Sequence, residues 1–249
     1  VSIAVLVLAG LFLPLFPLSM LFNRLFARVG SPLWRGLLLL AWPQVGLALL
    51  RLADAPVPDW LVAWGLFTAA LYALRALALR EVGLWTAFLA TSAWALLWVP
   101  LQAGTGSMLP QLHALSFSLP LVLLVLLAAG LERRFGAAYT GLYGGLAQAL
   151  PRFAGVLVVV VLAVIATPVF PSFLTMLAAV LAATPAGAVA LAGIWLLWSW
   201  AGMRLLQGLV VGPLQAGEVP DLGPAATWAY VAALGALVVA GLGFGGGLP

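Results

Sequence analysis

Apolar stretches of roughly 20 residues, the length a helix needs to cross the hydrocarbon core of a bilayer, follow one another through this chain with short polar connections between them. Few chains that fold in water carry such a pattern. Of 249 residues, 65% are hydrophobic and 6% charged, where a soluble domain averages about 25% charge. The implied fold class is an all-α integral membrane protein of about eight transmembrane helices. The spans are expected at residues 3–22, 33–50, 60–77, 84–101, 109–131, 153–183, 187–209 and 225–242. The first stretch has the length of a signal peptide, but it lacks a basic leading region and runs into Asn23 and Arg24 without a small-residue cleavage site, so it is read as a span.

The stretch 153–183 is too long for one straight crossing. Its middle reads Thr167-Pro168-Val169-Phe170-Pro171-Ser172, and two prolines remove backbone donors and clash with the preceding turn. One helix broken mid-membrane at Pro168 and Pro171 is therefore expected. Its break should face neighbouring helices, because irregular backbone is not tolerated against lipid.

The charges set the topology. The chain has ten basic residues, all arginine. With the N-terminus outside, Arg24, Arg28, Arg35, Arg75, Arg80, Arg133, Arg134, Arg152 and Arg204 all fall on the inner side, leaving Arg51 outside with Asp54 and Asp59. That bias follows the positive-inside rule and assigns these arginines a topogenic role. The expectation is a multi-pass protein of a bacterial inner membrane with both termini outside the cytoplasm. Singly scattered arginines do not form a phosphate-tracking patch, which argues against nucleic acid. Tryptophans such as Trp34, Trp60, Trp85, Trp98 and Trp228 near span ends read as interfacial anchors. Gly241 and Gly245 offer a close approach to another helix.

Catalytic constellations are missing. No cysteine, no phosphate-binding glycine loop and a single histidine leave neither a thiolate nor a histidine metal site, so no cofactor, metal or independent enzyme activity is expected. No stretch is long enough for a soluble domain: 132–152 reads as an inner loop with one interfacial turn, and 212–224, with Glu218 and Asp221, as a short loop. The candidate residues are those that bring polarity into the spans. His113 lies about one turn into its span with Ser116 on the same face. It reads either as a proton-relay or cavity-lining group or as a neutral imidazole hydrogen-bonded near the interface. Thr167 and Ser172 flank the helix break and are candidate cavity-lining residues, since broken helices expose unpaired backbone groups. Arg75, Arg80 and Glu81 cluster at an inner helix end, with Arg204 within snorkelling reach of the same surface.

The order of these features resembles a known family. Trp64-Gly65-Leu66-Phe67-Thr68, then residues 80–92, then His113-Ala114-Leu115-Ser116-Phe117 look like the second half of the antiporter-like membrane subunits of respiratory complex I. That family is shared with Mrp-type cation antiporters, membrane-bound hydrogenases and inorganic-carbon uptake complexes. Gly144-Gly145-Leu146-Ala147-Gln148-Ala149-Leu150-Pro151-Arg152 is similar to the family's Gly-Gly-Leu-Ala-x-x-Met-Pro loop, and the proline break follows at the corresponding place. The resemblance covers about residues 60–242. It implies an antiporter-like second-half bundle at 60–249 preceded by a two-helix segment at 1–59.

Two departures bear on activity. Phe117 stands where the family's His-x-x-x-Lys has its lysine, and Met176 where a lysine or glutamate follows the break. The resemblance thus implies an accessory or degenerate subunit of an energy-coupled proton- or cation-translocating complex, mainly serving anchoring and assembly. Its partners would be other membrane subunits, among them a fuller antiporter-like homologue, and a soluble catalytic subunit. The alternative is an active transport subunit with a path remodelled through His113 and the broken helix.

The topology is testable with reporter fusions. Fusions at Gly30 and Gly141 are expected to score as cytoplasmic and one at Thr105 as external. An external score at Gly141 would show the span count to be wrong.

Overall fold

The computed structural model describes residues 3–53, 57–102, 109–142, 144–213 and 219–245. Asp54, Thr105 and Glu218, named above, lie outside these described residues. The described residues form α1 (Ile3–Phe12), α2 (Ser19–Arg28), α3 (Pro32–Ala53), α4 (Asp59–Ala76), α5 (Val82–Ala95), α6 (Trp98–Gln102), α7 (Leu109–Phe135), α8 (Leu146–Ala149), α9 (Pro151–Val164), α10 (Pro171–Ala182), α11 (Pro185–Leu209) and α12 (Pro224–Gly245). Proline opens α3, α9, α10, α11 and α12, a position where its missing N–H costs nothing and its fixed φ suits the first turn. Among the described residues, five helical stretches are long and apolar enough to cross a membrane: Pro32–Leu52, Val82–Gln102, Leu109–Phe135, Pro185–Leu209 and Pro224–Gly243. The remaining expected spans correspond to α4 and to two proline-broken segments.

The layering follows from which helices are apolar all round. The most apolar stretch of Val82–Gln102 is 83% buried and that of α12 only 17%, so α5 occupies the centre and α12 the rim. Helix α5 packs against α4, α7 and α2, while α7 also contacts α3, α9 and α10. Helix α11 closes the bundle against α4, and α12 lies over α9 and α10.

The sequence leads to one proline-paired break in the bundle; among the described residues there are two. Residues 3–22 do not form one helix: Pro14-Leu15-Phe16-Pro17 stops α1 at Phe12, and α2 begins at Ser19 and continues past Phe22 to Arg28. The physical reason is the one already applied to 153–183, two prolines three residues apart. The same Pro-x-Phe-Pro spacing recurs at Pro168-Val169-Phe170-Pro171, between α9 and α10.

Both breaks are satisfied by side chains from other helices. At the first, Trp42 Nε1 donates to Leu11 O (3.3 Å), Trp98 Nε1 to Leu13 O (3.1 Å) and Trp64 Nε1 to Phe16 O (2.7 Å). At the second, Trp195 Nε1 reaches Ile165 O (3.2 Å) and Ala166 O (3.1 Å). Two of the tryptophans read as anchors are therefore interior residues: Trp85 is 1% exposed and Trp98 fully buried. Trp34, Trp60 and Trp228 are exposed, as an anchor requires.

Gly241 covers the second break from α12, where a Cβ would stand 2.6 Å from Val169 O. Shielding is one-sided, however. The carbonyls face protein, while the side chains of Pro168 and Val169 are exposed. Ala166 and Val169 adopt positive φ, +58° and +81°, a strained state for a β-branched residue that persists only where the surroundings fix it. Gly241→Ala is expected to lower stability by about 1–3 kcal/mol, because the clash is with backbone that cannot swing away. Gly235→Ala, on the same helix with nothing within 4 Å of its Cβ, should be neutral or stabilising; denaturant titration in detergent compares the two.

Candidate functional site

The centre of the bundle is polar without being charged. Among the described residues, the buried polar side chains are Ser19, Asn23, Thr68, Thr86, Thr91, Ser92, His113, Ser116, Ser118, Ser172 and Thr175. Each hydroxyl has a partner, either a backbone carbonyl or a neighbouring side chain, so burial in a medium without water is compensated.

The polar contacts begin beside the first break. Ser19 Oγ and Tyr72 Oη lie 2.9 Å apart, Asn23 Nδ2 donates to Ser19 O (3.0 Å), and Thr91 Oγ1 reaches Asn23 Oδ1 (3.3 Å). One residue along α5, Ser92 Oγ donates to Ala69 O (2.7 Å) and accepts from Trp198 Nε1 (2.8 Å), linking α4, α5 and α11. Trp94 Nε1 donates to Ser118 Oγ at 3.2 Å, which ties α5 to α7.

His113 is fully buried on α7. Its Nε2 lies 3.3 Å from Ala93 O, a hydrogen bond in the tautomer that carries its proton on Nε2, since a carbonyl only accepts. Nδ1 has no hydrogen-bond partner among the described residues. Ser116 Oγ donates to His113 O (2.9 Å) and lies 3.0 Å from Thr175 Oγ1. Thr175 Oγ1 reaches Ser172 O at 3.2 Å, and Ser172 Oγ donates across the second break to Ala163 O at 2.8 Å. The structure thus gathers His113, Ser116 and Ser172 around Thr175, which the sequence reading did not single out. Its signal was the i+3 spacing from Ser172. Thr167 does not join them: its Oγ1 turns back to Leu162 O (3.0 Å) and caps α9.

Apolar side chains fill the positions where the family resemblance places titrating groups. Phe117 is 1% exposed and Met176 fully buried. The Phe117 ring stands 4.9 Å from the His113 ring and 5.2 Å, edge-on, from Trp198.

Only Arg35 and Arg134 are partly buried among the described arginines; Arg24, Arg28, Arg51, Arg75, Arg80, Arg133, Arg152 and Arg204 are exposed. Arg35 pairs with Glu132 at 3.8 Å and donates from Nε to Val29 O at 2.7 Å. Arg75 lies over the Phe88 ring, and Arg134 over Phe153 while bonding Pro220 O and Gly130 O. Asp221 accepts the backbone N–H groups of Arg152 and Phe153 at the start of α9 (3.0 and 3.1 Å), the favoured place for an anion. Burial pushes the Glu81 carboxyl above its ordinary range; Arg35 opposes this and Glu132 adds to it. The expected cluster at this end therefore splits: Glu81 turns toward Arg35, Arg75 lies on Phe88, and Arg80 and Arg204 meet at a separate cleft.

The Gly-Gly-Leu-Ala loop crosses the same end. Gly145 has φ +77°, a conformation glycine adopts without a Cβ penalty. Its N–H and that of Ala147 bond Val211 O (3.3 Å) and Val210 O (3.2 Å), beyond α11. A short helix, α8, lies within the stretch where one turn is expected. Ser92→Ala is expected to cost about 1–3 kcal/mol, since it strands the buried Trp198 N–H; unfolding in a mixed-micelle denaturant series measures it.

No protein-family model and no curated protein matches this chain. Its fold does match solved structures. A chain of respiratory complex I from Thermus thermophilus superposes with a TM-score of 0.76 at 23% identity, covering 94% of this chain and 52% of that one. A chain of the Mrp complex from Dietzia sp. gives 0.80 at 15% identity, covering 94% and 55%. A chain of the membrane-bound sulfane sulfur reductase, an archaeal respiratory membrane complex, gives 0.77 at 16% identity, covering 94% and 50%. The chain spans about half the length of each. Its fold is that of membrane chains in these three complexes.

Proposed function

We propose that this chain is an accessory antiporter-like subunit of an energy-coupled membrane complex, serving to anchor neighbouring subunits and complete a helix bundle. The observation that carries this reading is the neutral interior. Among the described residues no carboxylate or guanidinium is buried. Phe117 and Met176 occupy the positions at which the resemblance expects groups that gain and lose protons. A membrane proton path needs such groups, or waters held between them, and arginine does not substitute because it stays charged. Its partners in this reading are other membrane subunits, including a fuller homologue, and a soluble catalytic subunit carried by the assembly.

One observation favours the second reading, active proton or cation transport through a remodelled path. The buried Nδ1 of His113 lacks a partner among the described residues, and a hydroxyl pair, Ser116 and Thr175, follows on the same side of α7. The deciding experiment is proton uptake by the reconstituted complex with His113→Ala, at matched complex content. The expected result is transport within about twofold of the parent, as for an interior group outside a relay. General acid–base participation is worth about 10²-fold or more, so a loss of tenfold or more with assembly intact would move His113 into the transport path.

A further inference from the structure

A cleft of about 620 Å³ opens where α4 ends, α5 begins and α11 ends, floored by Thr140 and Gly141. Its walls are held by backbone bonds: Val82 N–H to Ala138 O (2.9 Å), Thr140 N–H to Arg80 O (2.8 Å) and Gly141 N–H to Gly208 O (2.9 Å). Gly208 permits the last of these contacts, since a Cβ there would stand 2.9 Å from the Thr140 Cβ. The cleft is therefore formed before any ligand arrives.

Arg80, Arg204 and Gln207 line it and are exposed. Among the described residues, neither arginine has a carboxylate within ion-pair distance. Glu81, the adjacent acid, is drawn toward Arg35 instead. Trp85 lines the same cleft, is 1% exposed, and its buried indole N–H has no acceptor among the described residues. Leu77, Leu79 and Leu205 form its apolar wall.

The helix ends do not cancel the arginines. The C-termini of α4 and α11 each contribute roughly half a negative charge and the N-terminus of α5 roughly half a positive one. Two guanidiniums then leave an excess of about 1.5 positive charges at the cleft mouth. That excess suits one phosphate, whose oxygens arginine grips through two N–H groups at once. Leu77 and Leu79 stand in the connection after α4, and Leu205 belongs to α11, which is long and apolar enough to cross a membrane, so a phosphate carried on acyl chains fits the cleft better than a free ion.

We propose that this cleft binds the phosphate headgroup of an anionic phospholipid, held by Arg80 and Arg204 with the Trp85 indole N–H as a further donor. Basic pockets between transmembrane helices at the headgroup level are sites of this kind.

The test is native mass spectrometry of the purified protein in uncharged detergent, with phosphatidylglycerol or phosphatidylcholine added at equal mole fraction. The wild-type protein should retain phosphatidylglycerol roughly tenfold more than phosphatidylcholine. Arg80→Gln/Arg204→Gln should bring the two lipids to parity, and Trp85→Phe, which keeps the ring and removes the donor, should reduce the preference about threefold. Arg28→Gln/Arg133→Gln removes the same charge elsewhere on this end and should leave the preference intact. Equal retention of both lipids by the wild-type protein, or an equal loss in the Arg28/Arg133 variant, would overturn the proposal. Inorganic phosphate retained at this cleft in place of the lipid would overturn the lipid assignment.

Discussion

Hydrocarbon offers the backbone no hydrogen-bond partner, so every interruption of a helix inside a bilayer must bring its own. This chain interrupts two helices with the same Pro-x-Phe-Pro spacing and answers both with indole N–H groups. An indole suits the task because it donates and cannot accept, and its apolar body packs where a hydroxyl or amide would leave further valence unpaired. Each donor comes from another helix. Trp42 of α3 and Trp98 of α6 serve the end of α1, and Trp195 of α11 serves the end of α9. The cost of breaking a helix is thereby converted into tertiary connections, and the order of packing around α5 depends on them.

The centre then has to be polar enough to satisfy those breaks yet free of charge that hydrocarbon would penalise. Serine and threonine meet both conditions, since a hydroxyl can give its proton to a nearby carbonyl while keeping lone pairs for a neighbour. Individual contacts of this sort average about 0.6 kcal/mol in a membrane protein. Their worth lies in register: Ser92 fixes α11 through Trp198, and Ser118 fixes α7 through Trp94.

The helical class, the positions of the long spans and the second break were legible because hydropathy and paired prolines act locally. The first break was equally legible in Pro14 and Pro17, but residues 3–22 have the length of one span, and length alone supplied a sufficient explanation. Residue position along a span proved a poor guide for tryptophan. Trp85 and Trp98 lie near expected span ends, as Trp34 and Trp60 do, yet the former pair faces the bundle and the latter pair faces outward. Which face of a helix a residue occupies depends on α5 being surrounded, and α5 is apolar in every direction, leaving no stripe to read. His113, Ser116 and Ser172 were found as polar residues in apolar runs; Thr175 and Asn23 needed the third dimension to show what they touch.

The chemistry of His113 bears on how the interior works. To pass a proton, an imidazole must accept at one nitrogen and release from the other. Nε2 meets Ala93 O, and an amide carbonyl does not take up a proton near neutral pH. Nδ1 is buried without a partner among the described residues. The Ser116 hydroxyl is bonded to the backbone carbonyl of His113 and to Thr175 rather than to the ring. The ring itself packs against Phe117, which meets Trp198 edge-on. In this arrangement the imidazole meets α5 at Ala93, close to the Ser92 and Trp94 contacts, while the Ser116 and Thr175 hydroxyls beside it are bonded to each other and to backbone carbonyls.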